Sequence, residues 1–324
     1  MPEPSPGPTG PIFLAGVDRS GIGLLGEVLE CHPAVSMTRR TNFWAFYADR
    51  FGDLASPAAV DRCLDEMMRN ARMRILRPDR DRLHADLAQG SPTYARLFEL
   101  LQLQLMHRRG RSRWGDKSLG AERYASTILS AYPTASMVHV LRDPRDRYAS
   151  HRSSRDLRRS SSGRGAALWH WSERLARRHS RRFAGRYLVV RYEDLVREPA
   201  VCLEDVRGFL GLSEPDGTIE AAPLWTSSIG RHRRDLAPDD LRYLQLTLAR
   251  GMRRRGYVPD PLELTRATGA RFWARTLPVE TARATTWVVA NVVRGRRGER
   301  PSDRRMDADE RGGGDEGERG ATSA

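Results

Sequence analysis

The feature that most constrains this chain is a short apolar run, Ile12–Val17, that stops abruptly at a glycine-rich turn, G-V-D-R-S-G-I-G over 16–23. Directly after it come Leu24, Leu25, Val28 and Leu29 at helical spacing. A strand that ends on glycines and opens a helix turns backbone N–H groups, backed by the helix dipole, toward one point, where an anion is stabilised. The pattern then repeats in outline. Ser136–Leu141 reads as a second buried strand and Tyr187–Arg191 as a third, each followed by a polar turn and a helix. Short apolar strands separated by helices predict an α/β fold, a parallel sheet of P-loop type flanked by helices.

Between these strands the sequence predicts a helical insertion over 57–110, broken near Pro78 and Gly90–Pro92, and a long basic helix over 164–183 with Leu168, Trp171 and Leu175 on its apolar side. Further helices are predicted over Pro199–Leu212 and from Pro238 to a stop at Gly251. The expected organisation is a Pro/Gly-rich disordered N-terminus (1–11), a catalytic domain (12–260), a C-terminal helical extension (261–297) and a disordered tail (298–324) with little to bury.

The loop spacing also begins a Walker A sequence. In that motif Lys and Ser or Thr would come next, and here Ile22 and Gly23 stand there. Without a lysine for the β/γ-phosphates or a hydroxyl for magnesium, a nucleoside triphosphatase is disfavoured. A second anion-binding element follows Ser136–Leu141: R-D-P-R-D-R-Y-A-S, with Arg142 at the strand end and Ser150 almost two turns into a helix. Asp143 and Asp146 fit capping and ion-pairing roles better than catalysis.

Charge says less than it first suggests. The formal charge is +14, yet the chain holds 54 arginines and one lysine, Lys117, a skew that resembles coding bias. The lone lysine stands out, because an ammonium is a compact donor that can release its proton while guanidinium stays charged. Three separated cysteines give no disulfide framework or cysteine zinc site, and no ligand cluster has metal spacing. The N-terminus lacks the order of a signal peptide, and no apolar run is long enough to span a bilayer, so a cytoplasmic protein is expected.

Taken together, the two half-sites resemble the sulfotransferase family that uses 3′-phosphoadenosine 5′-phosphosulfate. The first loop is similar to that family's P-R-S-G-T-T-L-L, and the second to its R-D-P-R-D-x-x-x-S. C-H-P at 31–33, W-G-D-K-S at 114–118, R-Y-E-D-L at 191–195, S-S-I-G-R-H-R-R-D-L at 227–236 and R-R-G-Y at 254–257 fit in the same order. The resemblance implies that Arg19, Ser20, Gly21, Ile22 and Gly23 hold the 5′-phosphosulfate end, and that Arg142 and Ser150 hold the 3′-phosphate. It further implies that Arg231 and Arg233 belong to a loop closing over the donor, and that Lys117 stabilises charge on the bridging oxygen as the sulfuryl group leaves. The acceptor would be a small molecule bearing a hydroxyl or amine.

Two departures accompany the resemblance. Ile22 and Gly23 replace the family's paired threonines, removing two hydroxyl contacts of about 1 kcal/mol each. The histidine that some members carry two residues after the lysine is Leu119 here, and the glutamate that others carry is replaced by T-R-R-T at 38–41. An acceptor acidic enough to need little help, a base from an unusual position, or nucleotide binding without efficient turnover would each account for this. A kinase-like phosphotransferase and a noncatalytic anion-binding protein are the alternatives. Trp169 and Trp171 among arginines over 151–182 favour a solvated helix with core tryptophans over nucleic-acid binding. Residues 262–297 fit either a peripheral membrane contact or packing onto the protein's own core.

Overall fold

The computed structural model describes residues 9–153, 161–213, 228–261 and 265–293. Most of the expected N-terminal and C-terminal tails lie outside these residues. The end of the N-terminal segment is tied down: the Gly10 carbonyl accepts from Arg113 Nε at 2.7 Å, and that of Pro11 accepts from the Ser136 amide at 3.0 Å.

Five parallel strands make one sheet in the order β2-β3-β1-β4-β5, with β1 Ile12–Ala15, β2 Val35–Arg39, β3 Arg113–Lys117, β4 Ser136–Leu141 and β5 Tyr187–Arg191. β1 and β4 are buried throughout, as the near-continuous apolar runs of a sheet covered on both faces require. β2 and β3 were not legible as strands. β3 reads R-W-G-D-K and is nonetheless interior, because its polar side chains are satisfied internally. Arg113 donates to the carbonyls of Gly10 and Leu210, and burial lowers its pKa to about 10. Asp116 accepts from three hydroxyls.

Contacts divide the chain into two compact units, residues 1–142 with 172–226 and residues 143–171 with 227–324. The first holds the sheet and its helices. The predicted insertion appears there as helices Pro57–Arg69, Ala71–Ile75, Arg80–Ala88 and Tyr94–Arg108. They bury Leu64, Met67, Leu83, Leu97 and Phe98 in a core shared with Phe13 and Trp114. Phe98 and Trp114 meet edge to face at 5.8 Å between ring centroids, a favoured aromatic geometry.

The second unit has its own core of Tyr148, Trp169, Tyr243, Leu244, Leu248, Met252 and Phe272. Two expectations are corrected there. The helix Pro238–Arg254 runs through Gly251 instead of stopping at it. A Cβ at Gly251 would stand 2.8 Å from the Trp169 ring, so this glycine makes room for a tryptophan and does not cap the helix. In the long helix Ser162–Arg182, whose residues from Ser172 onward belong to the first unit, the buried side chains are Ser162, Ala166, Trp169, Ser172, Glu173, Ala176 and His179. Leu168, Trp171 and Leu175 sit beside that stripe, half-buried.

Candidate active site

The C-terminal ends of parallel strands are where open α/β sheets bind ligands, at the point where the strand order reverses. Here that point lies between β1 and β4, and the loop after β1 and Arg142 after β4 both occupy it. Gly16 and Gly21 shape the loop. Gly16 has φ +150, and an added Cβ would stand 2.6 Å from Ser20 Oγ and 2.7 Å from the Val140 carbonyl oxygen. Gly21, at φ +101, caps the helix Ile22–Glu30, and its Cβ would fall 2.2 Å from Cδ2 of Tyr192. Only glycine fits these conformations without strain. Arg19 also has positive φ, +61, and its side chain is exposed.

The loop is braced from three directions within the first unit. The Gly16 N–H donates to Glu122 Oε2 at 3.1 Å, and the Gly16 carbonyl accepts from the Gly120 amide at 3.0 Å. Arg142 donates to the Arg19 carbonyl at 3.1 Å, and its guanidinium lies 4.4 Å from the Tyr192 ring centroid, within cation–π range. Tyr192 therefore stands between the loop glycine and the strand-end arginine. Glu122 is buried, and its Oε1 accepts from Ser172 Oγ at 2.8 Å. Ser172 in turn is 3.0 Å from His139 Nε2, and His139 Nδ1 is 2.8 Å from the Tyr187 hydroxyl. With the Ser172 proton committed to Glu122, His139 donates from Nε2 and accepts from Tyr187. The histidine expected in the core is thus the middle of a chain of hydrogen bonds ending on the loop.

Ser20 is buried, and its Oγ has no hydrogen-bond partner among the described residues. Buried hydroxyls are almost always satisfied, and this one sits at the N-terminus of the helix Ile22–Glu30. An anion received there would supply the missing acceptor.

Lys117 ends β3, paired in register with Leu14 of β1. Its aliphatic stem runs along the helix Ile22–Glu30 past two glycines one turn apart. A Cβ at Gly26 would stand 3.1 Å from Lys117 Cδ, and one at Gly23 would stand 3.8 Å from Nζ. The ammonium is thereby delivered to the first turn of the helix that the loop opens. Its pKa is lowered, first by burial and then by Arg39 and Arg40. Gly23, which departs from the threonine of the resembled motif, leaves the space beside the ammonium open.

Asp116 has a different job. Thr38 and Thr41 donate to its Oδ1 at 2.7 and 2.8 Å, and Ser118 donates to Oδ2 at 2.8 Å. Burial raises its pKa against the effect of those hydroxyls. The T-R-R-T segment therefore spends both threonines on a buried carboxyl, which ties the end of β2 to the end of β3 beside Lys117.

The remaining expected residues lie in the second unit. Ser150 is buried on the helix Pro144–Arg152. Asp143 caps that helix, accepting from the Arg145 amide at 2.8 Å, and pairs with the Arg145 guanidinium at 2.7 Å. Asp146 accepts from the amides of Gly230 and His232, so both aspartates have the structural roles expected. His232 bridges Asp146 at 2.5 Å and Asp260 at 2.7 Å. Burial lowers its pKa, but hydrogen bonds and charge from the two carboxylates outweigh that and raise it. Arg231 pairs with Asp235 and donates to Ser153 Oγ, and Arg233 pairs with Asp260. No group of three metal-ligating side chains occurs among the described residues. Tyr192, Glu122 and Gly26 were not singled out from the sequence, and only R-Y-E-D-L carried any signal for Tyr192.

A strand-to-helix loop with a buried hydroxyl that lacks a partner among the described residues, a strand-end arginine and a lysine over the helix N-terminus thus lie at the switch point of a P-loop-type α/β sheet. The sulfotransferase family model matches residues 11–216, and the chain belongs to the sulfotransferase family, a family of transferase enzymes. Among solved structures, the sulfotransferase domain from the curacin biosynthetic pathway is 17% identical, with a TM-score of 0.53 over 78% of this chain and 99% of its own. The sulfotransferase domain from the Synechococcus PCC 7002 olefin synthase is 22% identical, with a TM-score of 0.44 over 89% and 98%. A sulfotransferase from Alicyclobacillus acidocaldarius is 21% identical, with a TM-score of 0.45 over 77% and 96%. No curated protein matches the chain.

Proposed function

We propose that this sulfotransferase moves the sulfuryl group of 3′-phosphoadenosine 5′-phosphosulfate to a hydroxyl or amine of a small-molecule acceptor, in the cytoplasm. The observation that carries this reading is the Ser20 hydroxyl, buried and without a partner among the described residues, at the N-terminus of a helix whose first turn also receives Lys117. Ser20 Oγ and the loop amides of Arg19, Gly21, Ile22 and Gly23 would bind the 5′-phosphosulfate end, with the Arg19 side chain adding charge. Arg142 would take the 3′-phosphate from the end of β4, joined by Ser150 on the strength of the motif. Arg231 and Arg233 would contribute from the loop that resembles the family's closing segment.

In the transfer, the acceptor oxygen or nitrogen would bond to sulfur as the bond from sulfur to the bridging oxygen breaks, and the proton the acceptor loses would pass to solvent. Charge then collects on that oxygen, which leaves on the 5′-phosphate. An ammonium with a lowered pKa, held by its stem and free to move at its tip, suits that moment, since it can follow the charge and give it a proton. Positioning and anion stabilisation supply the rest, as in the related phosphoryl transfers.

Calorimetry with 3′-phosphoadenosine 5′-phosphate, ADP, ATP with magnesium and a single-stranded oligonucleotide tests the reading. Selective binding of the 3′-phosphorylated nucleotide, weakened in Arg142→Ala and Ser20→Ala, is the expected result. Equal affinity for ADP would overturn it, and preference for magnesium–ATP would move the assignment to a phosphotransferase.

A further inference from the structure

Two arginines stand beside Lys117 on the side away from the glycine loop. In the sheet order β2-β3-β1, the strand that ends in Lys117 lies between β1, which leads into the loop, and β2, which ends at Arg39. Arg39 is paired in register with Lys117, and residues paired across adjacent strands point to the same face of the sheet. The helix Ile22–Glu30 covers both of them. The Lys117 stem lies along Gly26, and Arg39 reaches Glu27 at 3.4 Å. Arg40 follows directly, and its amide donates to the Lys117 carbonyl at 2.7 Å.

Like charges opposite one another on neighbouring strands are destabilising, and the carboxylates nearby do little to cancel them. The side chains of Arg39 and Glu27 are 51% and 58% exposed, and an exposed ion pair contributes little. Asp116 is buried and already accepts from three hydroxyls. Arg40 is exposed, and its guanidinium has no hydrogen bond or ion pair among the described residues. Burial lowers the Lys117 pKa most, and Arg39 and Arg40 lower it further, each with more effect than Glu27 or Asp116 has in the other direction. The backbone here is strained as well. Arg19, Arg40 and Asn42 have φ +61, +56 and +48, three of the five non-glycine residues with positive φ among the described residues. Such conformations cost about 1–3 kcal/mol each and persist where a site requires the shape.

From this arrangement we infer that the acceptor is an anion, a small molecule whose carboxylate, sulfate or phosphate lies against Arg39 and Arg40 while its hydroxyl or amine faces the donor. The inference rests on the sulfuryl-transfer reading above. The donor alone leaves these two charges unmatched, because its phosphates would be received on the other side of Lys117, by the glycine loop and by Arg142. Guanidinium forks match the paired oxygens of carboxylate and phosphate, and charge-assisted contacts of this kind are the strong ones. The same placement accounts for T-R-R-T standing where other members carry a glutamate. A glutamate would take the acceptor's proton, whereas neighbouring cations favour an acceptor group that has already given it to solvent.

The chain has one lysine, so isotopically labelled lysine gives a single Cε resonance that reports the charge at Lys117. The full chain, saturated with 3′-phosphoadenosine 5′-phosphate, is titrated in turn with 4-hydroxyphenylacetate, phenyl phosphate, 4-hydroxyphenylacetamide and tyramine. The two anions should shift the resonance saturably, and the neutral amide and the cationic amine should not. Arg39→Gln combined with Arg40→Asn should weaken both anions about tenfold or more. Asparagine is chosen at the second position because it tolerates the left-handed backbone. The same variant should raise the Lys117 pKa and leave nucleotide affinity unchanged. No response to either anion would overturn the inference. So would an equal response to the amide or the amine, or an anion response that survives in the double variant. Loss of nucleotide affinity in that variant would assign the arginines to the donor and overturn it as well. A protein that does not bind the nucleotide at all would fail the donor reading instead, and the same titration without nucleotide would separate that failure from the arginines' own.

Discussion

Gly21 and Gly23 are two residues apart, and adding one methyl group to each should have opposite consequences. At Gly21 the backbone sits at φ +101, where an alanine is strained by about 1–2 kcal/mol. The new Cβ would also fall 2.2 Å from Cδ2 of Tyr192. That ring is buried and has the Arg142 guanidinium 4.4 Å from its centroid, so it cannot swing aside without disturbing the site. Overpacking of this kind adds about 1–3 kcal/mol, and Gly21→Ala should destabilise the first unit by roughly 2–5 kcal/mol on the sum of those two effects. Gly23 lies inside the first turn of the helix Ile22–Glu30, and the nearest atom to its Cβ would be Lys117 Nζ at an ordinary 3.8 Å. Alanine is the better helix former there by up to about 1 kcal/mol, so Gly23→Ala should be neutral or stabilising. Urea unfolding measures the difference, and hydrogen exchange of the β1 and β4 amides reads it in the first unit alone. Gly21→Ala should also weaken binding of 3′-phosphoadenosine 5′-phosphate, because the loop amides no longer converge. Equal stability of the two variants, or a Gly21→Ala protein that binds the nucleotide normally, would refute the account of the loop as a shape set by Tyr192.

Lys117→Met should cut the rate of transfer by on the order of 10²–10³ while leaving the protein as stable as wild type or more so. Burial and two arginines lower the Lys117 pKa, so the charged form is disfavoured in the fold at every pH below its folded pKa, and methionine removes that penalty. Chemical denaturation beside a turnover assay separates the two effects. Asp116→Ala should destabilise by about 2–4 kcal/mol, because the hydroxyls of Thr38, Thr41 and Ser118 lose a buried acceptor. Asp116→Asn should recover much of the stability and, if Asp116 only supports Lys117, much of the activity. A folded Asp116→Asn protein with no turnover would instead make Asp116 a participant in proton transfer. Glu122→Ala should weaken nucleotide binding and free the Gly16 amide to exchange, whereas Glu122→Gln, which keeps one acceptor oxygen, should restore both in part. His232 has a raised pKa between Asp146 and Asp260. Its contribution is fully present below the ordinary imidazole pKa and is lost as pH rises through the higher folded value. Thermal melts of the wild type should therefore lose stability on the alkaline side of that range, and His232→Gln should flatten the loss.

The elements that could be read from the sequence are those whose physics is local. β1, β4 and β5 are apolar runs, and the glycine loop and the R-D-P-R-D turn carry their backbone needs in consecutive residues. Asp143 announces a helix cap because Pro144 follows it. β2 and β3 escaped because their stability is not local: R-W-G-D-K is an interior strand only once Gly10, Leu210, Thr38 and Thr41 have arrived to satisfy Arg113 and Asp116. Gly251 was misread for the same reason, since Trp169 lies far from it in sequence.

The same distinction runs through the site itself. Residues that would touch the donor lie in short contiguous motifs, so Arg19, Ser20, Gly21, Lys117 and Arg142 could be picked out one by one. The residues that give those motifs their shape come from elsewhere in the chain. Tyr192 sets the loop through Gly21, Glu122 holds it at Gly16, and Gly26 lays a track for the lysine stem. This bears on the loss of the paired threonines. If Ile22 and Gly23 were a simple decay of the site, the surrounding braces would have no reason to remain matched to it. Instead the Lys117 tip lies beside the opening that Gly23 leaves, and the orphaned Ser20 hydroxyl still waits at the same helix end. An exchange of two neutral hydroxyl donors for access of an ammonium would account for both features. At an anion, a charge-assisted contact is roughly twice as strong as a neutral one. Gly23→Thr decides between decay and exchange. A decayed site should gain affinity for 3′-phosphoadenosine 5′-phosphate when the hydroxyl returns, while an exchanged one should lose transfer rate as the new side chain crowds Lys117.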